Sequence, residues 1–350
     1  ASGSLNSQAL AVLTRRHLFR AYPLLRVLLK DELHQRLAST GKKNMASGPR
    51  ILVVVLVFGI FFYGIFISAP EEKTTVIPRN DLDLPSSADV KSSWRSFDYK
   101  KLNVPSSVSS TANEVKPTEA TVLVDDLTVF YREVNPEGAC TDLSVLMLHG
   151  AAFKSETWFN LGTLGMLGLM GYRVVAIDMP GFGNSPDGKI PDKAAFIQHL
   201  VSALHLVRPV IVSPSLSGQL SLPFVVKHWQ QMAGYIPVAP VGWNVLEQVQ
   251  CDTGDAPVDK SAVHPPLQVH LPKQIPNLSC IKVPTLVVFG EHDRGTSSAM
   301  LHLLPNSVAV EVPHGRHPAY LDNPNLWHQA LYNFLLRLRH ELKATAKGGS

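Results

Sequence analysis

Ser215, Asp293 and His317 carry the three side-chain types that together turn a hydroxyl into a nucleophile, and they occur in that order along the chain. A serine hydroxyl is weak by itself. A histidine must take its proton, and a carboxylate must hold that histidine in the tautomer whose free nitrogen faces the serine. Ser215 lies in the stretch PVIVSPSLSG at 209–218, where Ser213, Ser215 and Ser217 alternate and Gly218 follows. Small residues in this pattern suit a strand that bends sharply into a helix with the central serine at the bend. Serines stand where such a bend usually has glycines, so the fragment alone favours a plain serine-rich turn. The question is whether the rest of the chain supplies Ser215 with partners.

The elements that would position these groups are visible as runs. Residues 121–124 and 127–134 read as an opening antiparallel pair joined at Asp125-Asp126. Further strands are expected at 143–148, 172–177, 209–212, 235–238, 285–289 and 308–312, and helices at 156–170, 193–206, 217–231, 298–304 and 325–342. The strand runs are continuously apolar, as in strands covered on both faces. The fold class is therefore α/β, a mostly parallel sheet with helices on both faces.

In open parallel sheets, active groups gather at the carboxyl ends of strands. Here the 143–148 run ends in His149-Gly150-Ala151-Ala152, the 285–289 run in Gly290-Glu291-His292-Asp293, and the 308–312 run in Pro313-His314-Gly315-Arg316-His317-Pro318. The backbone N–H groups of Ala151 and Leu216 are the candidate oxyanion donors. His314 and His292 are rival bases, and Glu291 is a rival acid. Ser213 and Ser217 are weaker candidates for the nucleophile because neither is central in the bend. Asp178 and the following PGFGNS at 180–185 suggest a phosphate loop at first. A lone G-F-G lacks the third glycine, however, and the segment reads as a tight turn bordering the pocket.

These motifs resemble the α/β-hydrolase superfamily: HGAAF at 149–153, DMPGFGNS at 178–185, SPSLSG at 213–218, GEHD at 290–293 and the HGRHPAYL segment. The order nucleophile, acid, histidine is that of the same superfamily. SPSLSG with Pro223-Phe224 is similar to the small α/β-hydrolase domain-containing 14 group. FYREV at 130–134, LGTLGML at 161–167 and the amino-terminal apolar run bring the resemblance nearer to its membrane-anchored A branch than to its soluble B branch. The resemblance covers about 120–340. It implies an α/β-hydrolase fold with Ser215 as nucleophile, Asp293 as acid, His317 as base, and the Ala151 and Leu216 N–H groups as oxyanion donors. It also implies small acyl substrates, no metal or organic cofactor, and coenzyme A as an acyl acceptor if the chain deacetylates lysine as the B branch suggests. The alternative from another class is a catalytically silent fold serving as an interaction module.

Charge and composition divide the chain. The net charge is +4, but residues 1–50 hold nine Lys and Arg against Asp31 and Glu32, about +7, so the remainder carries about −3. An acidic folded part argues against a nucleic-acid-binding face. The segment 1–50 is basic and amphipathic, and reads as a leader or a membrane-surface helix. Its ASGS start and the KGGS end have the composition of linkers.

Residues 51–69 are uncharged and apolar, long enough to span a bilayer, with Lys42, Lys43 and Arg50 before them and Glu71 and Glu72 after. The expectation is a signal anchor rather than a cleaved signal peptide. It makes a single-pass type II membrane protein whose hydrolase domain is lumenal or extracellular, the alternative being cytoplasmic. Residues 70–118, rich in Ser, Thr and Pro, read as a flexible stalk before a folded domain at 119–342. A lid-like insertion is expected at 241–282. It contains the sequon at Asn277. The three cysteines, Cys140, Cys251 and Cys280, are too sparse for a disulfide scaffold or a zinc site, and a single bridge such as Cys251–Cys280 is the minority reading, open only in an oxidising compartment.

Overall fold

The computed structural model describes residues 93–136, 143–252 and 254–348. The basic leader, the apolar run at 51–69 and most of the expected stalk lie outside these residues. Among the described residues no helix is long and apolar enough to cross a membrane.

Eight strands form one sheet in the order β1-β2-β4-β3-β5-β6-β7-β8. They are β1 (Thr118–Val124), β2 (Leu127–Val134), β3 (Ser144–Met147), β4 (Arg173–Ile177), β5 (Val210–Pro214), β6 (Gly234–Val238), β7 (Thr285–Gly290) and β8 (Ser307–Val312). The β1–β2 and β2–β4 pairs are antiparallel, and all later pairs are parallel.

Successive strand residues point to opposite faces, and both faces are buried. Val145, Val174, Val212, Ile236 and Val288 belong to one apolar cluster, and Leu146, Val175, Ile211, Tyr235 and Val287 to the other. Two buried faces explain why these strands read as unbroken apolar runs.

Helices cover the sheet: α1 (Ser106–Thr111), α2 (Ser155–Asn160), α3 (Thr163–Leu169), α4 (Lys193–Ala203), α5 (Gly218–His228), α6 (Pro265–Gln268), α7 (Thr296–Leu301), α8 (Ala319–Asp322) and α9 (Pro324–Gly348). The helices α2, α3 and α9 contribute to the first cluster, with Trp158, Leu167 and Trp327; α4, α5 and α7 contribute to the second, with Ile197, Phe224 and Met300. The single helix expected at 156–170 is two. Gly162 takes φ +78° between α2 and α3, and a Cβ there would lie 2.5 Å from the Asn113 side-chain oxygen. A left-handed residue in a crowded corner requires glycine, and it ends the first helix.

The described part of the expected stalk is packed. Trp94 is buried against Phe334 at 5.1 Å between ring centroids, and the Arg337 guanidinium stacks 3.9 Å from the Trp94 ring. Arg95 donates to the carbonyls of Ala262, His302 and Leu304, while the Leu102 N–H and C=O both bond the Asn333 amide. A few well-spaced apolar residues, Trp94, Val108 and Ala112, hold this Ser-rich segment where average composition suggests none could.

The insertion is also tied down. Cys251 and Cys280 form a disulfide with Cα atoms 5.5 Å apart, and Leu246, Val263, Leu267 and Leu278 are buried in the second apolar cluster. The Asn277 side-chain N–H donates to the Cys251 carbonyl at 2.9 Å, so the sequon amide is engaged beside the disulfide.

Candidate active site

The elbow sits at the end of β5. Ser215 follows Pro214 directly and begins a short 3-10 turn that leads into α5. Its φ is +49°, a conformation that costs a non-glycine residue about 1–3 kcal/mol and persists only where its surroundings enforce it. The enforcement is visible. The Ser215 carbonyl accepts from the Val241 N–H at 2.9 Å, and a Cβ on Gly218 would lie 2.3 Å from the Val241 carbonyl oxygen. Only glycine lets α5 start this close to the segment leaving β6.

The other two groups arrive from neighbouring strands. Asp293 lies in a 3-10 turn after β7, and His317 lies in the loop between β8 and α8. Parallel pairing sets Gly290 opposite Val312, so both loops emerge at one level of the sheet. The loops then touch: a Cβ on Gly290 would lie 2.4 Å from the Gly315 carbonyl oxygen, and the His292 N–H donates to that same carbonyl at 3.0 Å.

The result is one line of polar contacts. The His317 Nδ1 lies 2.8 Å from the Asp293 Oδ2, and the His317 Nε2 lies 2.8 Å from the Ser215 Oγ. An ionised carboxylate only accepts, so Nδ1 carries the proton and Nε2 is the acceptor facing the serine. The hydrogen bond that His317 donates to Asp293 raises the His317 pKa above its ordinary value, against the opposing effect of burial.

Two of the rival groups, His314 and Glu291, are engaged with each other. The His314 ring is 96% exposed and lies 3.5 Å from Glu291, whose carboxylate also accepts from the His314 N–H at 2.9 Å.

The turn that carries Ala151 packs against the elbow. A Cβ on Gly150 would lie 3.3 Å from the Ser215 Cβ and 3.4 Å from the Phe153 ring, so the 149–152 turn presses on the elbow. Leu216 is in the first turn of its helix, where a backbone N–H has no intrahelical acceptor. His149 itself is buried. Its Nε2 accepts from the Met179 N–H at 2.9 Å and its Nδ1 lies 2.9 Å from the Gly150 carbonyl, while burial lowers its pKa. It braces the turn as a neutral ring.

Asp178, weighed above as part of a phosphate loop, has its carboxylate filled from within. Ser155 and Asn184 N–H groups donate to it at 2.7 and 2.8 Å, and a Cβ on Gly183 would lie 2.2 Å from its oxygen. It closes a tight turn. Among the described residues, no three of His, Cys, Asp and Glu gather as metal ligands.

Sequence reasoning missed Val241, which acts through its backbone, and also Ser221 and Tyr235, which bond the serines beneath the elbow. A signal for Ser221 was present. Ser217 and Ser221 are four residues apart and share a helix face.

Comparison with known proteins agrees with this fold. Human ABHD14B, provisionally named a protein-lysine deacylase, is 36% identical over 236 residues, 65% of this chain and 100% of its own length. Zebrafish Protein ABHD14A is 34% identical over 228 residues, 62% of this chain and 74% of its own. The chain belongs to the ABHD14 group of the α/β-hydrolase superfamily. The two branches match at overlapping identities, 36% for mouse ABHD14A and 39% for rat ABHD14B. A crystal structure of a CIB-like hydrolase from Thermoplasma acidophilum superposes with TM-score 0.50 at 23% identity, covering 63% of this chain and 98% of that one, a likeness of fold. No family model matches the chain.

Proposed function

We propose that this hydrolase-family protein cleaves acyl esters or amides through an acyl-enzyme on Ser215. The observation that carries the reading is the unbroken line Asp293–His317–Ser215, with both contacts at 2.8 Å, just past the carboxyl ends of β7, β8 and β5. The Ser215 Oγ attacks the acyl carbonyl carbon as the His317 Nε2 takes the hydroxyl proton, and the carbonyl π electrons move to oxygen. The N–H groups of Ala151 and Leu216 stabilise that oxyanion. The intermediate collapses, the bond to the leaving group breaks, and His317 returns the proton to the departing alkoxide or amine. Water then gives a proton to His317 and attacks the acyl-enzyme. Collapse of the second intermediate releases the acid, and Ser215 recovers its proton. Asp293 holds the imidazolium that forms twice in the cycle.

Protein-lysine acyl amides are a second substrate class, favoured by the name ABHD14B carries. In that reading the acyl group passes to water or to the thiol of coenzyme A, and added coenzyme A accelerates deacylation. Residues 51–69 are further proposed to anchor the chain with its domain lumenal or extracellular. Their apolar length supports this, as does the Cys251–Cys280 disulfide, which suits an oxidising compartment. Digestion of the domain in intact microsomes without detergent would exclude that side.

A fluorophosphonate probe tests the central claim. Wild type is labelled and Ser215→Ala is not; equal labelling of the two rules out Ser215 as the nucleophile, and no labelling of wild type supports a silent fold instead.

A further inference from the structure

Four fully buried hydroxyls lie beneath the elbow: Ser213, Ser217, Ser221 and Tyr235. Tyr235 and Ser221 are 2.8 Å apart, Ser221 and Ser213 2.7 Å, and Ser213 and Ser217 3.0 Å. Ser217 donates to the Pro214 carbonyl at 2.8 Å. The direction of the whole chain follows from its last member. A carbonyl only accepts, so Ser217 gives its one proton to Pro214. Ser213 must then donate to Ser217, Ser221 to Ser213, and Tyr235 to Ser221. Burial raises the Tyr235 pKa, which keeps the phenol protonated as the first donor.

The chain ends on the peptide that precedes Ser215. The carbonyl that follows, that of Ser215, is held by the Val241 N–H. Both peptide planes of the left-handed residue are therefore fixed, one by a side-chain hydroxyl and one by backbone. Glycine at 213 and 217 would leave the Pro214 carbonyl without its hydroxyl partner.

We propose that Tyr235, Ser221, Ser213 and Ser217 are positioning residues: a directional chain of buried hydroxyls holds the Pro214–Ser215 peptide so that the Ser215 Oγ meets His317. This rests on Ser215 being the nucleophile. The four residues touch no substrate and act through the elbow. Hydrogen bonds in such a chain polarise one another, so its members act as a unit.

The test is the second-order rate of inactivation by a fluorophosphonate across pH, for wild type, Ser217→Ala, Tyr235→Phe and the double variant, with folding checked by near-ultraviolet circular dichroism. Ser217→Ala leaves the Pro214 carbonyl without its donor and slows labelling about tenfold or more, since small misplacements of a nucleophile are costly. Tyr235→Phe keeps the ring, removes only the distant first donor, and slows labelling about two- to fivefold. The double variant is no slower than Ser217→Ala, because the chain is already cut. The pH midpoint stays at the wild-type value in all of them, because the His317–Asp293 pair is untouched.

Folded variants that label at the wild-type rate overturn the positioning role, as do independent effects that multiply in the double variant. If Ser217→Ala does not fold, Tyr235→Phe decides alone. A wild type that fails to label overturns the hydrolase reading, and the positioning role with it.

Discussion

The two ends of the Asp293–His317–Ser215 line are held by different forces. The serine end is fixed from inside, by buried hydroxyls, two pinned peptide planes and a glycine packed against backbone. The base end is fixed from the surface. Arg316 bonds Asp322 at 2.8 Å, Arg294 bonds Glu311 at 2.9 Å, and His314 pairs with Glu291 at 3.5 Å, while the His317 side chain is itself 42% exposed. Buried hydrogen bonds are strong and unscreened, whereas exposed ion pairs weaken with salt and are individually small. The geometry at Ser215 thus depends on the core, and the geometry at His317 depends on conditions in solvent.

The largest expected effect comes from the bond that joins the two ends. Asp293→Asn removes the carboxylate that holds the His317 tautomer, and kcat on an ester substrate falls about 10³–10⁴-fold. The pH profile moves as well. His317 must be neutral to accept a proton, so activity rises through its folded pKa, which Asp293 holds above the ordinary histidine value. Without that hydrogen bond only burial remains, and the acidic limb shifts to lower pH while the plateau drops. A limb that stays in place would mean that Asp293 does not set the base.

Gly290→Ala is next. The added methyl meets backbone, the Gly315 carbonyl carbon at 2.6 Å, and so pushes apart the loops that carry Asp293 and His317. A loss of about 10²-fold in kcat is expected, with the pH midpoint displaced downward as the pair lengthens. An unchanged midpoint with a lower rate would place the damage at the elbow instead.

The disulfide asks whether the elbow depends on the insertion, because the Val241 N–H that pins Ser215 opens that segment. Cys251→Ser with Cys280→Ser releases a loop closed over 29 residues and lowers stability by about 3–4 kcal/mol on loop-entropy grounds, read by urea unfolding. Labelling by a fluorophosphonate changes less than about threefold, because the local bond at Val241 persists without the crosslink. A tenfold loss would move the support of the elbow from the hydroxyl chain to the insertion.

Much of this was legible because strands buried on both faces leave unbroken apolar runs. The six later strands lie within a residue or two of their expected bounds, so the residues past their ends, Ser215, Asp293 and His317, were placed from the run ends. What escaped depends on single contacts that composition cannot carry. Gly162 breaks a helix because Asn113, far away in sequence, fills the space beside it. Trp94 orders a Ser-rich segment because Arg337 and Phe334 receive it. Val241 supports Ser215 through an N–H that any residue but proline would supply, so no side-chain pattern marks it. Ser213 and Ser217 were noticed as departures from glycine, yet their use was visible only once Tyr235 from β6 stood beneath them.

The smallest effect tests the surface half of the contrast most directly. Arg316 immediately precedes His317, its side chain is 75% exposed, and it lies against Asp322 through both its guanidinium and its backbone N–H. Arg316→Ala removes the guanidinium contacts and leaves the backbone bond, so one of the two links to Asp322 persists. The expected loss in kcat is less than about threefold, of the size that exposed pairs contribute. Salt should imitate the substitution. In wild type, raising sodium chloride to about 1 M shortens the screening length to about 3 Å and lowers the rate to a similar degree. In Arg316→Ala much of that salt response is already gone. Ser217→Ala, whose defect is buried, should keep the full wild-type response to salt on top of its own slower rate. If salt acted equally on Arg316→Ala and wild type, the base loop would be held by packing such as the Gly290–Gly315 contact, and the two ends of the line would differ less than their contacts suggest.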